Sequence, residues 1–389
     1  MEQNTPKSSK HRPKIIAFYL PQFHSFPEND AWWGKGFTEW TNVRKSKPFF
    51  PGHIQPEVPL GGNYYSLLDP AVQVSQAKLA QKYCVDGFCY YHYWFSGKLL
   101  MEKPMENMLA NPEVTEPFCI CWANEHWSRN WDGQNKKVIM PQNYDETESA
   151  WAEHFQYLLP FFRDPRYICH EGKPVFIVYK PYLMKNPNGM VKFWQKLARE
   201  AGLPGLYVGY QDPNSFLYDT SAFDFGIEFE PNYTNFERGS RFRSMQEKLA
   251  YGMKHWPWLA GKVRKKVHNL IRRKVLHHSI ITDYDETWQC ILKREPMDHV
   301  MPGAFTAWDN TPRRGVNAGV FYEATPEKFH RYMAAALQKA QDAGSEFFFI
   351  NAWNEWGEGA HLEPDEHNGY GYLEGVYDAV HALHGKDES

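Results

Sequence analysis

At 389 residues the chain is long for one globular domain, yet within the range that α/β barrels reach with insertions. Its net charge of −3 excludes a global attraction to nucleic acid or to an anionic membrane, and its 42% hydrophobic and 23% charged residues are ordinary for a soluble protein. The unusual figure is the aromatic share, 16%, which fits either a heavy core or a cleft paved with flat apolar faces of the kind sugar rings pack on.

The polar, basic start MEQNTPKSSKHRPK leads straight into IIAFYL with no apolar run or small-residue cleavage site before it. Residues 1–13 are expected to be disordered, with no secretory signal and a cytoplasmic location. Nothing approaches the ~18 consecutive apolar residues of a membrane span. The six cysteines contain no CxxC pair and fit buried thiols better than a disulfide framework or a zinc site.

From residue 14 onward, short apolar runs alternate with amphipathic stretches, the pattern of a parallel βαβ sheet. The first strand is expected over Ile15–Leu20. A long polar and aromatic loop follows to about Asn63, and Asp69–Tyr83 reads as a helix with Asp69 as N-cap and Pro70 in its first turn. VDGFCYYHYWF and PFCICWANE supply strands two and three. Glu146–Leu159 is a helix, PVFIVYK the fourth strand, Met190–Ala201 a helix closed by Gly202, LYVGYQ the fifth strand and FDFGIEFEP the sixth. A helix near Tyr284–Lys293 precedes PGAFTAWDN, the seventh. Thr325–Ala343 is a helix and SEFFFINAWNEW the eighth strand. Eight strands in βα order predict an α/β fold, a (β/α)8 TIM barrel over 14–389 with long βα loops. An open doubly wound sheet would carry a Gly-rich first turn, and IIAFYLPQFH has no glycine.

Between strands six and seven lies a helical insertion at about 231–283. Its segment GKVRKKVHNLIRRKVLHH carries seven Lys/Arg and no acid, with apolar residues at three- and four-residue steps. This basic helix near 262–278 is either packed over the barrel with a solvated face or a dock for peripheral contact with a membrane or an anionic glycan carrier.

Active sites of such barrels lie where the strands end at their C-terminal side. Those ends are polar and aromatic together: Tyr19 and His24 after strand one; Tyr91, His92 and Trp94 in strand two; Trp122, Asn124, Glu125 and Trp127 around strand three; Glu228 in strand six; Trp308 and Asp309 after strand seven; Asn354, Glu355, Trp356 and Glu358 after strand eight. Tyr91, His92 and Tyr93 alternate, so either His92 or the two tyrosines face inward. Glycoside chemistry requires one carboxylic acid for the leaving oxygen and one carboxylate for the oxocarbenium-like centre, in an aromatic-walled groove. Glu355 and Glu358, three apart with Gly357 between them and Gly359 beyond, are the expected pair. Glu39 and Trp40 in the first loop are further sugar-binding candidates. Arg313 and Arg314 fit either an anionic sugar or surface salt bridges.

The segments YLPQFH (Tyr19–His24), GFTEW (Gly36–Trp40), GFCYYHYWF (Gly87–Phe95), WANEHW (Trp122–Trp127), AWDNTPRRG (Ala307–Gly315) and WNEWGEGAHLEPD (Trp353–Asp365) resemble the WbsX family, often labelled glycosyltransferase, over about residues 14–378. That family is in turn similar to the glycoside hydrolase family 99 barrels, chiefly through the E-W-x-E step. Family 99 comprises endo-acting α-mannoside hydrolases in which one Glu deprotonates the sugar's 2-hydroxyl. That oxygen attacks C1 to give a 1,2-anhydro sugar while the other Glu protonates the leaving oxygen. The resemblance implies Glu355 as base and Glu358 as acid/base. It implies a retaining hydrolase of 1,2-trans glycosides, of α-mannoside or α-rhamnoside type, acting on an oligosaccharide or polysaccharide without a cofactor. Gly357 departs from that family, which commonly has a bulkier residue there.

Three other readings stay open on sequence: a two-carboxylate hydrolase using Glu125 as acid/base and Glu355 as nucleophile; a glycosyltransferase of surface-polysaccharide assembly, although no DxD motif or phosphate loop is found; and a silent carbohydrate-binding barrel. A metal site from Glu358, His361, Glu363 and His367 has ligand types but no recognised spacing, and no metal is expected.

Overall fold

In a computed structural model, residues 11–128, 138–211, 218–238 and 280–387 are described. Eight parallel strands are formed by β1 (Lys14–Tyr19), β2 (Gly87–Phe95), β3 (Phe118–Trp122), β4 (Lys173–Val178), β5 (Tyr207–Tyr210), β6 (Phe225–Ile227), β7 (Val300–Met301 continued by Gly303–Phe305) and β8 (Phe347–Asn351). Each pairs with its successor and β1 also pairs with β8, Lys14 opposite Phe347, so the barrel closes. The break in β7 falls at Pro302, which has no N–H to give to the ladder. The first half of β7 pairs with β6 and the second with β8, while the Pro302 carbonyl accepts from Phe349 N at 3.0 Å. The predicted (β/α)8 barrel is the fold.

The strands are buried on both faces, as the continuous apolar runs require. Tyr91, Phe229 and Phe349 all pack on Phe18 in the interior; on the outer side Tyr19, packed on Phe88, meets the helices through Gln76. Those helices are α1 (Pro70–Lys82), α2 (Lys103–Ala110), α3 (Glu148–Phe162), α4 (Pro187–Glu200), α5 (Tyr284–Lys293), α6 (Pro326–Asp342) and α7 (Gly371–Asp387). Local signals set several starts. Asp69 accepts from Ala71 N, Thr147 from Ala150 N and Thr325 from Lys328 N. Helices α2 and α7 escaped the sequence reading. In α7, Gly371 and Gly375 weaken helix propensity. Both are used where α7 crosses α6, since a Cβ would fall 2.7 Å from Pro326 Cβ at the first and 3.0 Å from Phe329 Cδ1 at the second.

The long first loop, between β1 and α1, folds over the C-terminal mouth with two short helices of its own, Pro27–Trp33 and Glu39–Lys45. The insertion begins as helical residues 232–238 after β6. Its basic stretch near 262–278 lies outside the described residues, as do residues 1–10. Among the described residues no helix is long and apolar enough to cross a membrane.

Candidate active site

The chain leaves β8 and makes a tight hairpin. Asn354–Glu355 pairs antiparallel with Ala360–His361 around the turn Trp356–Glu358, and Gly359 supplies the left-handed residue with φ of 59°. A Cβ at Gly359 would also sit 2.9 Å from the Asp309 backbone nitrogen. Trp356 is the anchor. It is fully buried, stacks on His361 at 3.7 Å and donates its indole N–H to Glu363. Glu363 also accepts from Tyr65 and Gln76, so both of its oxygens are satisfied in the core.

With Trp356 turned inward, Glu355 and Glu358 both meet Arg313, from the short helix Thr311–Arg314 after β7. One guanidinium nitrogen binds Glu355 at 2.7 Å, another binds Glu358 at 2.6 Å, and Nε donates to Glu39 at 3.1 Å. Three carboxyl groups thus share one positive charge. Full ionisation would leave two uncompensated negative charges in a buried site, which favours a retained proton. Burial pushes Glu355 up to about 8, against the pull of Arg313 and with help from Glu358 and Glu39. Burial likewise raises Glu39, whose Oε2 has no hydrogen-bond partner among the described residues. Arg313 itself is held firmly protonated, the three glutamates outweighing its own burial. The Glu358 side chain is the more open of the two, 23% exposed against 10% for Glu355.

Gly357 is explained by the same cluster. A Cβ there would lie 1.8 Å from Glu39 Oε1 and 2.7 Å from Arg313 Nε. The space that a bulkier residue would fill is taken by the Glu39 carboxylate.

The cavity over this cluster measures about 300 Å³. Glu355, Glu358, Glu125, Tyr91, Trp127 and Trp308 of the predicted set line it, together with Tyr93, Tyr179 and Arg314. The two tyrosines of β2 therefore face inward. Burial first, and the charge of Glu355 next or further down, keep both hydroxyls protonated. Glu125 pairs with Lys180 Nζ at 2.5 Å.

Eleven of the predicted residues do not line the cavity, and Glu39 reaches it only from beneath through Arg313. Tyr19 points outward and donates to Gln76. His92, Trp94 and Trp122 pack behind the barrel on His154 of α3. His92 and His154 share a 2.9 Å contact, and both are held neutral by burial. His24 is tied to the Pro21 carbonyl, and Trp40 packs among Phe23, Tyr65 and Trp356. Asn124 clamps the backbone of Lys180, and Asn354 clamps that of Leu20. Glu228 turns outward to Arg294, which also holds Glu230. Asp309 faces away, accepting from His53 and Gln55. Trp356 is the hairpin anchor. For Tyr19, His92, Trp94 and Trp122 the cause is strand alternation, which sends every second residue of a strand behind the barrel. The metal grouping also dissolves, because His361 and Glu363 belong to the Trp356 core while Glu358 faces Arg313.

Arg313 is what the sequence reading undervalued. Its signal was charge balance: three acids in Gly- and Trp-flanked motifs require a cation, and AWDNTPRRG is the motif that carries one.

The family described as Glycosyltransferase WbsX matches residues 15–376. WxcX of Xanthomonas campestris pv. campestris, itself described as uncharacterized, is 35% identical over 377 residues in each of two strains. The match takes 94% of this chain and 49% of WxcX, so the chain spans about half the length of the curated relatives it matches. Among solved structures, the GH99 endo-α-mannosidase from Bacteroides thetaiotaomicron in complex with bis-tris-propane aligns with a TM-score of 0.54 at 16% identity, covering 97% of this chain and 99% of that one. A protein described as glycoside hydrolase-like aligns at 0.55 and 14%, covering 97% of each chain. At these identities the likeness is one of fold.

Proposed function

This chain belongs to the WbsX family, and from that premise we propose that it is a retaining glycoside hydrolase of 1,2-trans glycosides, of the α-mannoside or α-rhamnoside type. The observation that carries the reading is the pair Glu355 and Glu358, presented by one turn to one guanidinium in an aromatic-walled cavity at the barrel mouth. The GH99 endo-α-mannosidase of like fold supports the substrate class.

The roles follow from burial. A group that deprotonates a sugar hydroxyl must be a strong base once ionised, and burial gives Glu355 that proton affinity. Glu355 takes the proton of the 2-hydroxyl as its oxygen bonds to C1. Glu358, open to the cavity, gives its proton to the glycosidic oxygen as the C1–O bond breaks. In the second half Glu358 takes a proton from water, the water oxygen bonds to C1 as the C1–O2 bond breaks, and the released 2-oxygen recovers a proton from Glu355. Two inversions leave the anomeric configuration unchanged. Arg313 holds both carboxyl groups in place and steadies whichever is ionised.

The test is a panel of defined 1,2-trans oligosaccharides with products resolved by mass, wild type beside Glu358→Gln. A 2-deoxy analogue cleaved as fast as its parent rules out attack by the 2-hydroxyl, and a glycosyl ester trapped on Glu355 assigns a covalent route instead.

The family description favours a second reading, transfer to a sugar acceptor. The same two glutamates would serve, with an acceptor hydroxyl opening the anhydro sugar in place of water. Tight binding of any nucleotide sugar by titration calorimetry would select it.

A further inference from the structure

Beyond Trp308 the barrel mouth opens into a second hollow of about 710 Å³. Its walls are the 50–58 segment of the first loop, the 319–327 segment after β7 and the start of α7. Trp308 lines both hollows, so they adjoin at one indole. The inner cavity, about 300 Å³, is at the small end of ligand sites and takes little more than the reacting unit. A longer substrate must continue somewhere, and the outer hollow is built to receive it.

Two features define what it takes. Its rim carries apolar surface left open to water: Tyr322 is 48% exposed and Ile54 46%, with the Phe50 ring stacked on His53 beside them. Its lining carries carboxyl groups, among them Glu57, Glu327, Asp365 and Glu323, the last paired with Lys328, and no lysine or arginine lines it among the described residues. Glu57 Oε2 lies 3.4 Å from His361 Nδ1, which ties this carboxyl group to the hairpin after β8. Flat apolar faces beside hydrogen-bond acceptors suit a sugar ring, whose C–H face stacks while its hydroxyls donate. The missing cations and surplus of carboxylates repel uronate or phosphate groups.

We propose that the outer hollow binds an uncharged, hydroxyl-rich glycan segment continuous with the unit held over Glu355 and Glu358. This rests on the hydrolase reading for what happens at the inner cavity, but binding in the hollow can be measured without turnover.

The experiment uses the full chain carrying Glu358→Gln. Neutral manno-, rhamno-, gluco- and galacto-oligosaccharides of two to six units are titrated by calorimetry beside oligogalacturonates of matched length and oligolysine. Affinity for one neutral series is expected to rise with length by about tenfold, and Tyr322→Ala or Ile54→Ala, both on exposed side chains, to remove that gain. Failure of every neutral series to bind, a preference for oligogalacturonate or oligolysine, or a length gain untouched by both substitutions overturns the proposal. Product release by the wild type is scored separately. Length-dependent binding without products sinks hydrolysis and leaves the hollow assigned, whereas products with no loss in either variant do the reverse.

Discussion

Gly357 and Glu39, far apart in sequence, are locked together: the position a Gly357 Cβ would take is 1.8 Å from Glu39 Oε1. The carboxylate must be there for Arg313 to be shared three ways, so the glycine is the condition for the cluster. Gly357→Ala is expected to lose ~1–3 kcal/mol of stability by overpacking, with a fall in kcat as Arg313 is displaced. Glu39→Ala empties the space, so the double variant is expected to be more stable than the sum of the single losses. Thermal unfolding of all four proteins checks this, and simple additivity would count against it.

The buried base gives the second prediction. Glu355 takes the 2-hydroxyl proton only when it is ionised, and burial holds its own proton up to about 8. From neutral pH toward that region kcat/KM is expected to rise with pH, by at most about tenfold per unit. A profile that is flat from about pH 6 to 8 would remove Glu355 as the base.

How much of this was readable beforehand can be judged from particular residues. The barrel was legible because Ile15–Tyr19 and Phe347–Asn351 are buried on both faces and so read as unbroken apolar runs. The Glu355–Glu358 pair was legible because turn glycines flank it. Which neighbours of that pair line the cavity was not. In GFCYYHYWF every residue is aromatic, imidazole or small, so polarity does not reveal which face looks inward; Tyr91 and Tyr93 do, while His92 and Trp94 lie on α3. Arg313 was ambiguous for another reason. The partners of a cation in a loop come from elements distant in sequence, here Glu39 in the first loop and the hairpin after β8.

Stability should carry its own pH signature, set at the other end of the barrel. Glu116 is 1% exposed, with Gln81 as the neighbour that steadies its charged form. Burial raises it from 4.5 to about 9. Between those values the folded chain keeps a proton that the unfolded chain gives up, so its contribution is intact at pH 4 and is lost as pH rises toward 9. Glu116→Gln stays neutral throughout. The variant is expected to gain on wild type with rising pH, by at most ~1.4 kcal/mol per unit. Denaturant midpoints of both proteins at pH 5, 7 and 9 measure the difference, and parallel curves would refute the assignment.

The choice of acid/base is decided by comparing two glutamates that line one cavity. Glu358 reaches Arg313 and lies one turn from Glu355, whereas Glu125 stands on another strand end and binds Lys180. If Glu358 delivers the proton, Glu358→Gln loses about 10²–10⁴ in kcat. Glu125→Gln, which removes only the partner of Lys180, stays within about tenfold of wild type, the equivalent of ~1.4 kcal/mol. A good leaving group separates the roles further. An aryl glycoside that departs without protonation restores the first step in the variant lacking the acid and does nothing for the other. Rescue of Glu125→Gln by such a substrate, with Glu358→Gln left near wild type on ordinary glycosides, would move the acid to the end of β3 and make the pair after β8 a nucleophile and its neighbour.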